Sequence, residues 1–163
     1  MFEHADLAAQ VGQALTDRKQ SVAVGESSAG GLISSTLLSV PGASAFYMGG
    51  AVVYTGWSQG LLFERGELPP GTRGATEAFA CALALNAASR MSSDWGLAET
   101  GATGPHGNPY GDPAGHAWVA VRRPDRTTVA RNVTTNSNDR VANMHAFTAA
   151  ALGLLLSELS TAS

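Results

Sequence analysis

The chain has 163 residues, is 44% hydrophobic and 14% charged, and carries a formal net charge of −3. That length suits one domain with a well-buried core, and the slight acidity gives no electrostatic basis for a nucleic-acid or anionic-membrane partner. A single cysteine, Cys81, excludes an intrachain disulfide and a cysteine-based zinc site.

The first residues hold no basic segment leading into an apolar core, and no apolar run approaches the ~20 residues that span a bilayer. A cytoplasmic protein is expected. Leu7, Val11 and Leu15 recur at helical spacing, which predicts a helix over residues 4–18. Val22 to Gly25 reads as a short buried strand. Residues 29–39 read as a helix stopped by Pro41-Gly42, with Leu32, Thr36 and Leu37 on one side. Ala45 to Thr55 has strand composition interrupted by Gly49-Gly50, and Gly56 to Glu64 is ambiguous, with a short helix one option. Thr76-Glu77 starts a helix to about Met91 with the stripe Phe79, Leu83, Ala87 and Met91. A strand follows over residues 94–100.

Gly101 to Pro113 is rich in glycine and proline, which rules out a regular element and marks a loop of the kind that carries function. His116 to Val121 and Thr127 to Val133 form a hairpin around Pro124-Asp125. Asn138 or Asp139 caps a last helix to about Leu159, with Val141, Met144, Thr148 and Leu155 facing in. This order predicts an α/β fold over residues 1–163: a single three-layer domain with a mixed β-sheet flanked by helices.

Two glycine-marked turns carry the chemistry. Glu26-Ser27-Ser28-Ala29-Gly30-Gly31 joins a strand to a helix and aims backbone N–H groups and hydroxyls at one point, which suits an anion or a nucleophile. It lacks the Gly-Lys-Ser/Thr ending of a P-loop and the glycine spacing of a nucleophile elbow. The plain structural alternative is a connection in which Ser28 caps the helix. The second turn is Gly101-Ala102-Thr103-Gly104-Pro105-His106-Gly107. Tyr54 ends a strand and either faces a cleft or is an ordinary strand tyrosine. His106 is either a base or merely exposed, and Arg140 either reaches an anion or is solvated. The four histidines show no metal spacing, and neither metal nor cofactor is expected.

Taken together, these segments resemble the C-terminal domain of the CinA family, whose stand-alone form is nicotinamide mononucleotide deamidase of the PncC type. The family's Glu-Ser-Cys-Thr-Gly-Gly turn corresponds to Glu26 to Gly31, and its Pro-Gly-Ala-Ser segment to Pro41-Gly42-Ala43-Ser44. Its Gly-Gly-Val-Val-Ala-Tyr-Ser strand corresponds to Gly49 to Thr55. Its Gly-Pro-x-Gly loop corresponds to Gly104 to Gly107 followed by Pro113-Ala114-Gly115, and its Gly-Asp-Arg to Asn138-Asp139-Arg140. The resemblance covers nearly the whole chain in order.

The resemblance implies metal-free hydrolysis of the carboxamide of nicotinamide mononucleotide to nicotinic acid mononucleotide and ammonia. Ser27 would be the nucleophile, with Ser44 and Tyr54 lining the pocket. Thr103 and Gly104 would belong to the substrate loop, Gly30 and Gly31 to the helix end, and Arg140 would meet the phosphate. One departure bears directly on mechanism. The family lysine that activates the serine is Gln59 here, and a neutral carboxamide accepts no proton usefully near neutral pH. Three readings stay open: an amidohydrolase with a shifted base such as His106, a catalytically impaired relative that binds a nucleotide or a partner, or a hydrolase with a different amide substrate. A homo-oligomer is expected from the low charge, from the resemblance, and from the apolar Phe46, Tyr47 and Met48.

Overall fold

The computed structural model describes residues 2–64 and 67–162. The elements are α1 (Ala5–Arg18), β1 (Val22–Glu26), α2 (Leu32–Leu38), β2 (Tyr47–Val52), α3 (Glu77–Arg90), β3 (Trp95–Ala102), β4 (His116–Arg122), β5 (Thr128–Thr134) and α4 (Arg140–Thr161), with 3-10 turns at Ala43–Ala45 and Ser58–Leu61. The strands lie in the order β2-β1-β3-β4-β5. β1 is parallel to both β2 and β3, and β4 runs antiparallel to β3 and β5, so the sheet is mixed.

Successive strand residues face opposite sides of a sheet, and here the two sides differ in residue size. Val22, Val24, Trp95, Leu97, Val119 and Val121 pack with α1, α2 and α4. Ala23, Ala98 and Ala120 on the other side meet Phe79, Leu83, Ala84 and Ala87 of α3. Small strand residues let α3 lie close. A methyl group added at Gly96 would sit 2.0 Å from the Ala84 carbonyl oxygen.

Several boundaries differ from the sequence expectation. Helix α2 starts at Leu32 rather than residue 29, because Ser27 to Gly31 form a turn held by buried carboxylates. Strand β2 is shorter than Ala45 to Thr55. Its pairing with β1 skips from Tyr47 to Gly49, which leaves Met48 bulged and exposed. Phe46 is not a surface residue: it is core and packs against Gly12 of α1, which removes one motive for the expected oligomer. Val141 is 60% exposed, since it lies in the first turn of α4 before that helix reaches the sheet. The caps at Thr76 and Asp139 form as expected, accepting from the Phe79 and Ala142 N–H groups.

The register places the working parts. Glu26, the last residue of β1, pairs with Glu99, and the parallel β3 runs on past it to Ala102 at the same end of the sheet. Ala102 of β3 pairs with His116, and His116 with Thr134, so the chain also leaves β5 toward α4 at this end. Loops outside the carboxyl ends of strands are the usual ligand crevice of such sheets. No described helix is long and apolar enough to cross a membrane.

Candidate active site

The first turn is braced from beneath by two buried glutamates on the α1/α2/α4 side of the sheet. Glu26 Oε2 accepts the Gly31 and Ile33 N–H groups at 2.9 and 3.1 Å, and its Oε1 accepts that of Ser34 at 3.0 Å. Glu99 Oε2 accepts the Ser27 and Ala29 N–H groups at 3.1 and 2.8 Å, while its Oε1 accepts the Ser28 hydroxyl. Gly31 holds φ 100° at the head of α2, a conformation that suits a residue with no side chain.

The Ser27, Ala29 and Gly31 N–H groups of the turn are therefore spent on the protein's own acids. Gly30 and Gly31, expected as substrate contacts at the helix end, both have their N–H groups engaged within the protein. Gly31 donates to Glu26 and Gly30 to the Ser27 carbonyl, so neither donor is free. Ser28 does not cap α2 either, because its hydroxyl points at Glu99.

Burial dominates the ionisation of Glu99, which has no exposed surface, and lifts it from the ordinary 4.5 to about 7. The bonds from Ser28, Ala29 and Ser27 pull the other way, and the adjacent Glu26 charge adds to the rise.

Two adjoining cavities open above this base. One, of about 330 Å³, is lined by Ser27, Val53, Gln59, Ala75, Phe79 and Thr100 among others. The second, of about 310 Å³, is lined by Ser28, Thr103, Gly104, His106 and Arg140 among others. Tyr54, Gly101, Asn108 and Pro109 belong to both, so the lobes share a wall. Ser27 and Ser28 are 9% and 5% exposed and open to different lobes. Each lobe is at the lower end of the range for small-molecule sites.

Arg140, in the first turn of α4, spans the second lobe. Its guanidinium donates to the Gly104 carbonyl, and it reaches the Tyr54 phenol at 3.4 Å. Gly104 holds φ 100° and is followed by a cis bond to Pro105; a side chain there would crowd Ala114 and the Asn138 carbonyl. Asn143 of α4 donates to the Thr103 carbonyl at 2.9 Å and ties the same loop down. Farther along, Arg73 pairs with Asp112 at 2.7 Å and lies over the Tyr110 ring. The Arg73 bond holds the Asp112 carboxyl below its ordinary value, helped by Asn108 and His116 and opposed by burial.

Ser27, Tyr54, Gln59, Thr103, Gly104 and Arg140 thus meet around one bilobed cleft. Ser44 does not. It precedes β2 at the end of the sheet where Val22 N–H donates to the Phe46 carbonyl, roughly 15 Å of strand away at ~3.3 Å per residue. Lys19, the chain's one lysine, also lies at that far end, just before β1. Sequence reasoning gave no role to Glu99, and the signal was there: a lone acid directly after the apolar run Trp95-Gly96-Leu97-Ala98. It also did not bring Glu3, His4 and His145 together, whose ligand atoms lie within 4.8 Å of one another beside α4. Another cavity, of about 540 Å³, is lined by Arg18, Trp95, Arg123 and Glu158 among others, at the end of the sheet away from Ser27. Its charges are already engaged, Arg123 with Glu158 and Arg18 with the Leu159 and Ala162 carbonyls.

A five-stranded mixed sheet with a two-loop cleft outside the ends of its parallel strands defines an α/β protein with a small-molecule-sized site. The family model described as the CinA C-terminal domain matches residues 4–159, and the chain belongs to that family. It is 38% identical over 130 residues to a CinA-like protein of Acidobacterium capsulatum, covering 79% of this chain and 31% of that protein. A CinA-like protein of Thermosynechococcus vestitus is 33% identical over 126 residues, covering 77% and 30%. The chain therefore spans less than a third of the length of these curated relatives.

Among solved structures, the competence damage-inducible protein A of Klebsiella pneumoniae superposes with a TM-score of 0.90 over 98% of both chains at 24% identity. The competence/damage inducible protein CihA of Agrobacterium tumefaciens gives 0.87 at 25% identity, over 96% of this chain and 95% of that one. These likenesses confirm the expected three-layer α/β architecture.

Proposed function

We propose that the chain is an amidohydrolase acting on a pyridine mononucleotide, with nicotinamide mononucleotide the substrate to test first. What carries the reading is the convergence of two serine hydroxyls, Tyr54 and Arg140 on one bilobed cleft. Arg140, a planar cation at the second lobe, suits a phosphate. A serine of the pair attacks the carboxamide, and the cleft walls hold the ring. The reading includes a cytoplasmic setting and a homo-oligomer, which light scattering checks. The direct assay incubates purified protein with nicotinamide mononucleotide and measures ammonia and nicotinic acid mononucleotide. No product above that of a Ser27→Ala, Ser28→Ala double variant defeats the proposal.

A second reading is favoured by one observation: Gln59 lines the first lobe where the family resemblance has a lysine, and Lys19 lies at the other end of the sheet. On this reading the domain binds a nucleotide or a partner without turning it over. Activity that emerges only in Gln59→Lys would establish it over the first reading.

A further inference from the structure

A serine that attacks an amide needs a neighbour to take its proton. Gln59 does not serve, and His106 makes no hydrogen bond to either serine among the described residues. One acid does touch the pair. Glu99 Oε2 is committed to the N–H groups of Ser27 and Ala29, and those two bonds straddle Ser28. The other oxygen, Oε1, is left for the Ser28 hydroxyl, which already donates to it. Ser28 lines the lobe that contains Arg140.

We propose that Ser28 is the nucleophile and Glu99 its general base, a hydroxyl–carboxylate pair in place of serine and lysine. The proposal rests on the amide-hydrolysis reading for its substrate but not for its chemistry. Ser28 Oγ bonds to the carboxamide carbon while its proton passes to Glu99 Oε1. The tetrahedral intermediate collapses, the C–N bond breaks, and Glu99 returns the proton to the departing nitrogen as ammonia leaves. Water then attacks the ester carbon and gives a proton to Glu99. The C–Oγ bond breaks, and Ser28 regains its proton as the carboxylic acid departs. Atoms and charge balance as amide plus water giving acid plus ammonia.

Glu99 must be ionised to act, so the reaction quickens as pH rises through about 7. Glu26 on β1 is the ionisable neighbour facing it, and Val119 of β4 flanks it on the other side.

The test uses diisopropyl fluorophosphate on the whole chain, with the adduct mapped by peptide mass spectrometry. The Oγ–P bond forms, the P–F bond breaks, and the proton taken by Glu99 leaves to solvent with fluoride. The expected result is an adduct on Ser28, with a labelling rate that climbs through about pH 7. Glu99→Gln keeps an oxygen for the two N–H groups and so keeps the turn braced. It should slow labelling by about 100-fold or more and flatten the pH profile.

An adduct on Ser27, no adduct, or an unchanged rate in Glu99→Gln overturns the pair. The mapping on unmodified protein needs no variant to fold. Ser28 labelling without ammonia from nicotinamide mononucleotide removes the substrate reading and leaves the pair standing. Ammonia release with the adduct on Ser27 does the reverse.

Discussion

Replacing Glu99 by Gln should change how stability depends on pH. The carboxyl titrates near 4.5 when solvated and near 7 when folded. The folded pKa is the higher, so the folded chain holds this proton more tightly than the unfolded chain. The resulting stability is complete below about pH 4.5 and is lost as the pH rises through about 7. At about 1.4 kcal/mol for each pH unit, the interval amounts to about 3 kcal/mol. Glutamine does not titrate and lacks this dependence. Urea unfolding of both proteins at about pH 4.5 and about pH 8.5 isolates the group, because other titrations cancel in the difference. Relative to the variant, the natural protein should lose about 3 kcal/mol across that range. A difference constant to within about 0.5 kcal/mol would show that Glu99 is neither desolvated nor pressed by Glu26, and the account of the turn's base would fail.

Other substitutions probe the rest of the molecule. Gly96→Ala drives a methyl group into the Ala84 backbone and should cost about 3 kcal/mol or prevent folding, read by thermal unfolding. Asp139→Ala removes the α4 cap bond to the Ala142 N–H and should cost about 1 kcal/mol in urea unfolding. Arg140→Ala should weaken calorimetric binding of a pyridine mononucleotide at least about tenfold while leaving the phosphate-free nucleoside unaffected. Equal losses for both ligands would place the arginine's role in bracing Gly104 and Tyr54.

Local signals carried the architecture. Thr76 and Asp139 announced their helices by the cap chemistry of a hydroxyl and a carboxylate at a first turn. The β4–β5 hairpin followed from alternation around Pro124-Asp125. Placement of the site was partly legible: both turns follow parallel strands, and parallel strands end on one side. The donor economy of the first turn was not legible. It depends on Glu99 lying beside Glu26, a pairing of residues 73 positions apart that no local pattern encodes. Ser44 misled because a motif match says nothing about which end of a strand it precedes. Phe46 read as surface until Gly12 supplied the hollow it fills.

The inequality of the two sheet faces bears on how this chain tolerates change over time. Beneath α1, α2 and α4 the strands carry valine, leucine and tryptophan, where one bulky aliphatic can replace another at modest cost. Beneath α3 the middle of the floor is Ala23, Gly25, Gly96, Ala98 and Ala120, and at Gly25 and Gly96 the helix backbone leaves no room for growth. Drift among homologous chains should therefore be lopsided: varied in identity but constant in bulk on one side, and confined to the smallest residues on the other.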